Sequence, residues 1–290
     1  MRNIENSGKV LGVFIALAYL VFFQGNETFE WILIGLVLVT VGIPHGSLDH
    51  LLANPRINRE NLIRFILKYL AIIFAYLSLW ILLPLPALIA FIIMSAYHFG
   101  QSHFIQTPLT YHKKATYFFT GLFYLSVILW GSFDETGKIL EEIATIAAFK
   151  SIGWYIISGS FLISNFLFFR NRSGKWLFFP VEMVGLGLLL YQLPLLMAFI
   201  IYFGFWHALP SMSEEFQALK KHFGKNKLKS FISRMIPFTT LSLAGMALII
   251  AFLYKSSEVE EIIFVFFVLI SLISAPHVWY MNRFLESDKD

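Results

Sequence analysis

Long apolar runs recur along this chain with so little between them that hardly any segment is left to build a water-soluble surface. A membrane-crossing helix needs about 20 mostly apolar residues, because the hydrocarbon core of a bilayer is ~30 Å thick. By that measure the runs fall at roughly 10–23, 31–52, 62–83, 87–105, 115–133, 151–169, 177–193, 195–209, 231–254 and 261–284. The first, seventh and eighth are short. Leu193-Pro194, between the last two of these, reads as a tight turn or as a kink in one longer helix. The first run follows Arg2 and Lys9 and is not closed by a small-residue cleavage site, so it reads as an uncleaved span. Only 14% of the residues are charged, against roughly 25% in a soluble domain. The expected fold is all-α: a polytopic transmembrane helix bundle of about ten spans, forming a single integral-membrane domain over 1–290.

Charge sets the expected orientation. With the N-terminus inside, 19 of the 22 Lys and Arg fall in inside segments, and only Lys138, Lys150 and Lys255 fall outside. The outside segments are instead acidic, holding Glu27, Glu30, Asp134, Glu135, Glu141, Glu142, Glu258, Glu260 and Glu261. Basic loops resist translocation, so both termini are expected in the cytoplasm, in a bacterial-type inner or plasma membrane. The inside set includes Arg172, Lys175 and Lys289. The basic residues lie in short loops and not on one domain face, which argues against nucleic acid as a partner. Residues 138–150 read either as an amphipathic helix on the outer surface or as a loop.

There is no cysteine, which excludes disulfides, thiolate metal sites and cysteine nucleophiles. A transition metal would have to be held by histidine and carboxylate, which suits iron, zinc or copper. Of the eight histidines, His112 and His222 sit in basic loops and read as solvated. The other six lie inside apolar runs: His45 and His50, His98 and His103, His207, and His277. At 1.5 Å per residue, His45, His98 and His277 each fall about 10 Å from the inner end of their helix. Asp49 and Glu182 fall at a similar depth. A single buried imidazole is accounted for by a hydrogen bond between helices. Six at one level on four helices point to a metal site with carboxylates in support. Residues five apart on a helix differ by ~140° in direction. His45 with His50, and His98 with His103, could therefore share an ion only if the helix breaks at Gly46 or Gly100. The neighbouring Tyr97, Tyr202, Phe203, Phe205, Trp206, Trp279 and Tyr280 suit a cavity for a long apolar substrate, as they also suit lipid-facing belts.

At these motifs the chain resembles the Brp/Blh family of membrane β-carotene 15,15′-dioxygenases. The matching residues are Gly42-Ile43-Pro44-His45-Gly46-Ser47-Leu48-Asp49, His98-Phe99-Gly100, Glu182 within Val181 to Leu186, Tyr202 to His207, and Pro276-His277. The resemblance implies an enzyme that takes β-carotene from the lipid bilayer and splits its central double bond with O₂ into two retinals. It implies a non-haem Fe(II) held by His45, His98 and His207, with Glu182, Asp49 and His277 in catalytic or supporting roles. A microbial rhodopsin is then the natural receiver of the retinal. Two positions differ from the family pattern. Its His-x-x-x-His motif reads His207-Ala-Leu-Pro-Ser211 here, and its Asp five residues after the His-Phe-Gly histidine is His103. The expectation is that His103 or His50 replaces the missing ligand. The alternatives are a divergent carotenoid- or retinal-binding protein without cleavage activity, and a histidine-based transporter.

Overall fold

The computed structural model describes residues 2–107, 109–141, 143–144, 146–171, 178–254 and 258–287. Arg172, Lys175, Lys255, Lys289 and Glu142, all counted in the charge alternation, lie outside the described residues. Among the described residues the chain is helical and contains no strand. The first α-helices are α1 (Arg2–Ala18), α2 (Glu27–Val37), α3 (Asp49–Ala53), α4 (Arg59–Leu82), α5 (Pro84–Ser102), α6 (Lys113–Gly131) and α7 (Phe133–Leu140). They are followed by α8 (Gly153–Arg170), α9 (Phe178–Tyr191), α10 (Leu195–Tyr202), α11 (Leu209–Leu219), α12 (Lys227–Leu253) and α13 (Val259–Ser287).

Local chemistry sets several boundaries. The side chains of Asn26 and Asn58 accept from Phe29 N at 3.0 Å and Asn61 N at 2.8 Å, satisfying first-turn donors of α2 and α4. Pro84 opens α5, where its missing N–H costs nothing. Pro194 ends the ambiguity at 193–194: it stands in an extended conformation before α10, so the chain turns there. The Glu135 carboxylate accepts from Leu195 N at 2.9 Å, placing negative charge at the start of α10.

Among the described residues eight helices are long and apolar enough to cross a membrane, or nine if α6 and α7, bent by 89°, make one span. This differs from the ten expected. The seventh expected span is the 14-residue α9, and the eighth, expected to be short, runs on as a helix from Leu195 to His222. Among the described residues of 138–150, only the first are α-helical, in α7, and a 3₁₀ turn covers Ala147–Ile152. Outward-facing positions are themselves apolar, as a lipid environment demands: Phe252 is 83% exposed and Leu248 73%.

The chain divides into two compact units, Met1–Leu38 with Ile92–Ser211, and Val39–Phe91 with Met212–Asp290. In the first, α10 is buried along its whole length and is packed by α1, α2, α6 and α9. Tyr19, Tyr124, Met183, Met197 and Tyr202 fill its core. In the second, α4, α12 and α13 pack around the short α3, and Leu48, Leu51, Leu219, Phe231 and Met235 form a buried apolar cluster.

Candidate metal centre

In the first unit α5 presents His98, and α10 loosens into a π-turn, Phe203–Ala208, that presents His207. A π-turn inserts one extra residue and re-aims the side chains on it, a device common at functional sites. Both imidazoles are buried, with ring centroids 4.6 Å apart and edge to face. Ser102 ties them together. Its Oγ donates to the His98 carbonyl at 3.3 Å and lies 2.7 Å from His207 Nδ1. With the hydroxyl proton given to that carbonyl, Nδ1–H of His207 donates to Ser102, and the lone pair of His207 sits on Nε2. Ser211 Oγ is 3.4 Å from the same hydroxyl. Phe99 and Phe203 close over the His207 ring, with centroids at 4.5 and 5.6 Å.

In the second unit a π-turn, Leu38–Gly42, and a 3₁₀ turn, Pro44–Gly46, interrupt the second span just where His45 sits. His45 Nδ1–H donates to the Gly42 carbonyl, which puts its lone pair on Nε2. Its ring stands edge to face on His277, with centroids 4.7 Å apart. His277 in turn donates from Nδ1 to the buried carboxylate of Asp49, at 2.9 and 3.1 Å. The Tyr69 hydroxyl lies 3.3 Å from Asp49 Oδ2 and from the Ile273 carbonyl, both of which accept from it. Ile273 lies in the turn before Pro276, where the proline ring crowds the helix carbonyls. The helix α13 continues through Pro276 all the same.

The remaining expected site residues face other neighbours. His103 lies just past α5; its Nε2 is 3.0 Å from the Tyr202 hydroxyl and its ring stacks on Tyr124 at 4.8 Å. His50 packs against Phe238, with centroids 4.8 Å apart. The break at Gly46 exists, yet it leaves His50 among phenyl rings and His45 against His277. No break occurs at Gly100, because α5 runs to Ser102. Glu182 accepts from Lys9 Nζ at 2.9 Å and from Trp206 Nε1 at 2.8 Å, so it anchors the residue preceding His207. His112 and His222 are exposed, as expected. Ser102, Tyr69, Lys9 and Glu215 belong to these surroundings and had no sequence signal of their own. Glu215, on α11, is fully buried, and neither of its carboxyl oxygens has a hydrogen-bond partner among the described residues.

The second unit also contains a largely apolar cleft of about 260 Å³ between α4 and α12. Leu70 and Leu241, both exposed on the outer surface, stand at its sides, while Gly46, Ser47, Asp49 and His50 lie along it. The cleft therefore runs from an apolar exterior to the broken segment that carries His45.

His45, His98 and His207 are each buried and each offer one ring nitrogen to an ion. Imidazole nitrogen without sulfur is a donor set that suits iron, zinc or copper. The polar partners fixing His45 and His207 through Nδ1 are the arrangement that metal-ligating histidines use.

A family model described as β-carotene 15,15′-dioxygenase matches residues 36–284. A protein of an uncultured marine bacterium, 66A03, named β-carotene 15,15′-dioxygenase, is 24% identical over 263 residues, covering 88% of this chain and 94% of that protein. No solved structure matches.

Proposed function

Since this chain belongs to the β-carotene 15,15′-dioxygenase family, we propose that it cleaves β-carotene at its central double bond with O₂, giving two molecules of retinal, and that His45, His98 and His207 hold the Fe(II) it uses. One carbon–carbon double bond is broken, and the two atoms of O₂ end in the two aldehydes. The observation that carries the metal assignment is that His45 and His207 are each anchored through Nδ1 and each sit on a departure from α-helical geometry. The assignment of the three as one ligand set rests on the sequence motifs. Bound there, iron would supply the one-electron chemistry through which O₂ reacts with an alkene.

The protein's own part is to hold, orient and exclude water. Asp49 and His277 fix the ring of His45, and Ser102 fixes that of His207. Glu182 steadies Trp206 and so the π-turn. His50 lines the cleft, and His103 braces Tyr202 and Tyr124. β-Carotene has no polar group to bring it through water, and the cleft between α4 and α12 gives it lateral access from the bilayer. Positioning one bond of a long polyene is a large part of such catalysis. The protein acts as one multi-pass domain of a bacterial-type inner membrane, with its basic face and both termini inside, and a microbial rhodopsin is a fitting receiver of the retinal.

The test is expression in cells that accumulate β-carotene, with metal analysis of the purified protein and chromatography of the retinoids. About one iron per chain and retinal as product are expected, and His45→Ala, His98→Ala and His207→Ala should each lose the iron. Iron-loaded protein that leaves β-carotene intact sinks the cleavage reading. Retinal formation without iron sinks the metal assignment.

A further inference from the structure

The second unit contains a cavity of about 510 Å³ between α4 and α13, with no histidine among its described lining residues. Three cations line it: Arg64 and Lys68 from α4, and Arg283 from α13. Among the described residues no carboxylate lines it. Arg64 is held by Glu60, one turn earlier, at 2.8 Å. Lys68 and Arg283 make no ion pair among the described residues. The side-chain amides of Asn54 and Asn61 add further hydrogen-bonding groups. Three cations lining one hollow, two of them without an ion pair among the described residues, call for an anionic ligand, and guanidinium groups match phosphate oxygens in particular.

The surroundings say what carries the phosphate. Helix α4 has 24 residues, about 36 Å at 1.5 Å per residue, which exceeds the ~30 Å hydrocarbon core. Its first turns, with Arg64, therefore stand at headgroup level, and the lysine stem lets Lys68 reach the same level from below. Arg283 lies near the end of α13, which runs the other way. Trp279, 65% exposed, and Tyr280 flank the cavity, as indole and phenol rings do at a membrane interface. The rest of the wall includes Phe65, Ala71 and Ile72, an apolar strip of the kind that an acyl chain covers. A soluble anion has no use for that strip.

We propose that this cavity is a binding site for an anionic phospholipid, its phosphodiester held by Arg64, Lys68 and Arg283 and one acyl chain lying along Phe65 and Ile72. Such basic pockets between membrane helices recognise lipid charge as well as apolar length. The site is independent of the proposed reaction, though α4 is also a wall of the cleft through which substrate would pass, so an occupied site braces that wall.

The test uses the full chain in neutral detergent, reading bound lipid by native mass spectrometry and thermal stability with phosphatidylglycerol, phosphatidylcholine or inorganic phosphate added. The wild-type protein should retain phosphatidylglycerol and melt higher in its presence, with little response to phosphatidylcholine. In an R64Q/K68Q/R283Q variant the affinity should fall about a hundredfold. The charge-preserving K68R variant should keep it. Equal retention of the two lipids overturns the proposal, as does full phosphatidylglycerol binding by the triple variant. Equal protection by inorganic phosphate alone assigns the site to a soluble anion and overturns the lipid reading. Because none of these readouts uses turnover, a failure here is distinct from a failure of the cleavage reading.

Discussion

His277 donates from Nδ1 to both oxygens of Asp49, at 2.9 and 3.1 Å, while its ring stands edge to face on His45. The pair fixes one imidazole and, through it, the orientation of another. Asp49→Asn keeps the size and weakens the acceptor, so His277 loses its fixed tautomer. Partners of this kind typically change metal affinity or activity roughly 10- to 100-fold. Asp49→Asn is expected to lower iron retention and retinal formation by that factor while leaving the melting temperature close to wild type, with His277→Ala more severe. Titration of the purified variants with Fe(II) measures it, and wild-type affinity in both would remove the pair from the site.

Gly100 and Gly121 bring α5 and α6 into backbone contact. A Cβ at Gly100 would lie 1.7 Å from the Tyr117 carbonyl oxygen, and one at Gly121 would lie 1.8 Å from that of Ala96. Backbone atoms cannot give way as side chains do, so the helices must separate. Gly100→Ala is expected to cost about 3 kcal/mol, the upper range for overpacking, and to displace His98. Gly159→Ala, where a Cβ meets nothing within 4 Å, should instead be neutral or stabilise the protein by about 0.5 kcal/mol. Thermal unfolding of the two variants in the same detergent separates them; similar melting temperatures would contradict the packing argument.

The sequence made the buried histidines and Asp49 legible for one reason: in a chain this apolar, a titratable group inside a span has nowhere to go but inward. Their partners were not legible. Ser102 is one serine among many. Lys9 looked like a loop charge before the first span, yet it reaches Glu182. A π-turn has no compositional signature, because it is a slip in backbone register and not a preference of side chains, so the setting of His207 has no signal in the sequence, whereas Pro44 and Gly46 mark the break that carries His45. Gly100 stands in the sequence as a possible break, yet its role is to admit α6. The eighth span reads as 195–209, while the helix runs on to His222; Ser211, Ser213, Glu214 and Glu215 make its last turns polar.

The cleft between α4 and α12 predicts a split between binding and chemistry. Leu70→Trp or Ile73→Trp fills part of a space of about 260 Å³ whose described lining includes none of His45, His98 and His207. Binding common to substrate and transition state is lost, so KM should rise about tenfold with kcat little changed and iron content normal. Phe252→Trp, on the exposed far end of α12, serves as the control and should behave as wild type. Retinal formation measured against β-carotene concentration gives the answer, and an unchanged KM in both cleft variants would place substrate access elsewhere.

Glu215 is fully buried without a hydrogen-bond partner for either oxygen among the described residues. It rides on the helix that continues directly from the π-turn of His207. Met212, Phe216 and Leu219, its neighbours on α11, belong to an apolar cluster, so nothing in its local sequence compensates for taking a carboxyl group out of water. Such burial costs free energy whether or not the group is ionised, and a chain that retains it gains something other than stability. Glu215→Met keeps the volume and removes the polar atoms. It is therefore expected to raise stability, by about 1–3 kcal/mol, and to reduce retinal formation while the iron stays bound, the trade-off seen where a strained group serves activity. Thermal unfolding and product chromatography on the same preparation read both effects. A lower melting temperature would mean that the carboxyl is structural, and full activity at a higher melting temperature would leave it without a catalytic part.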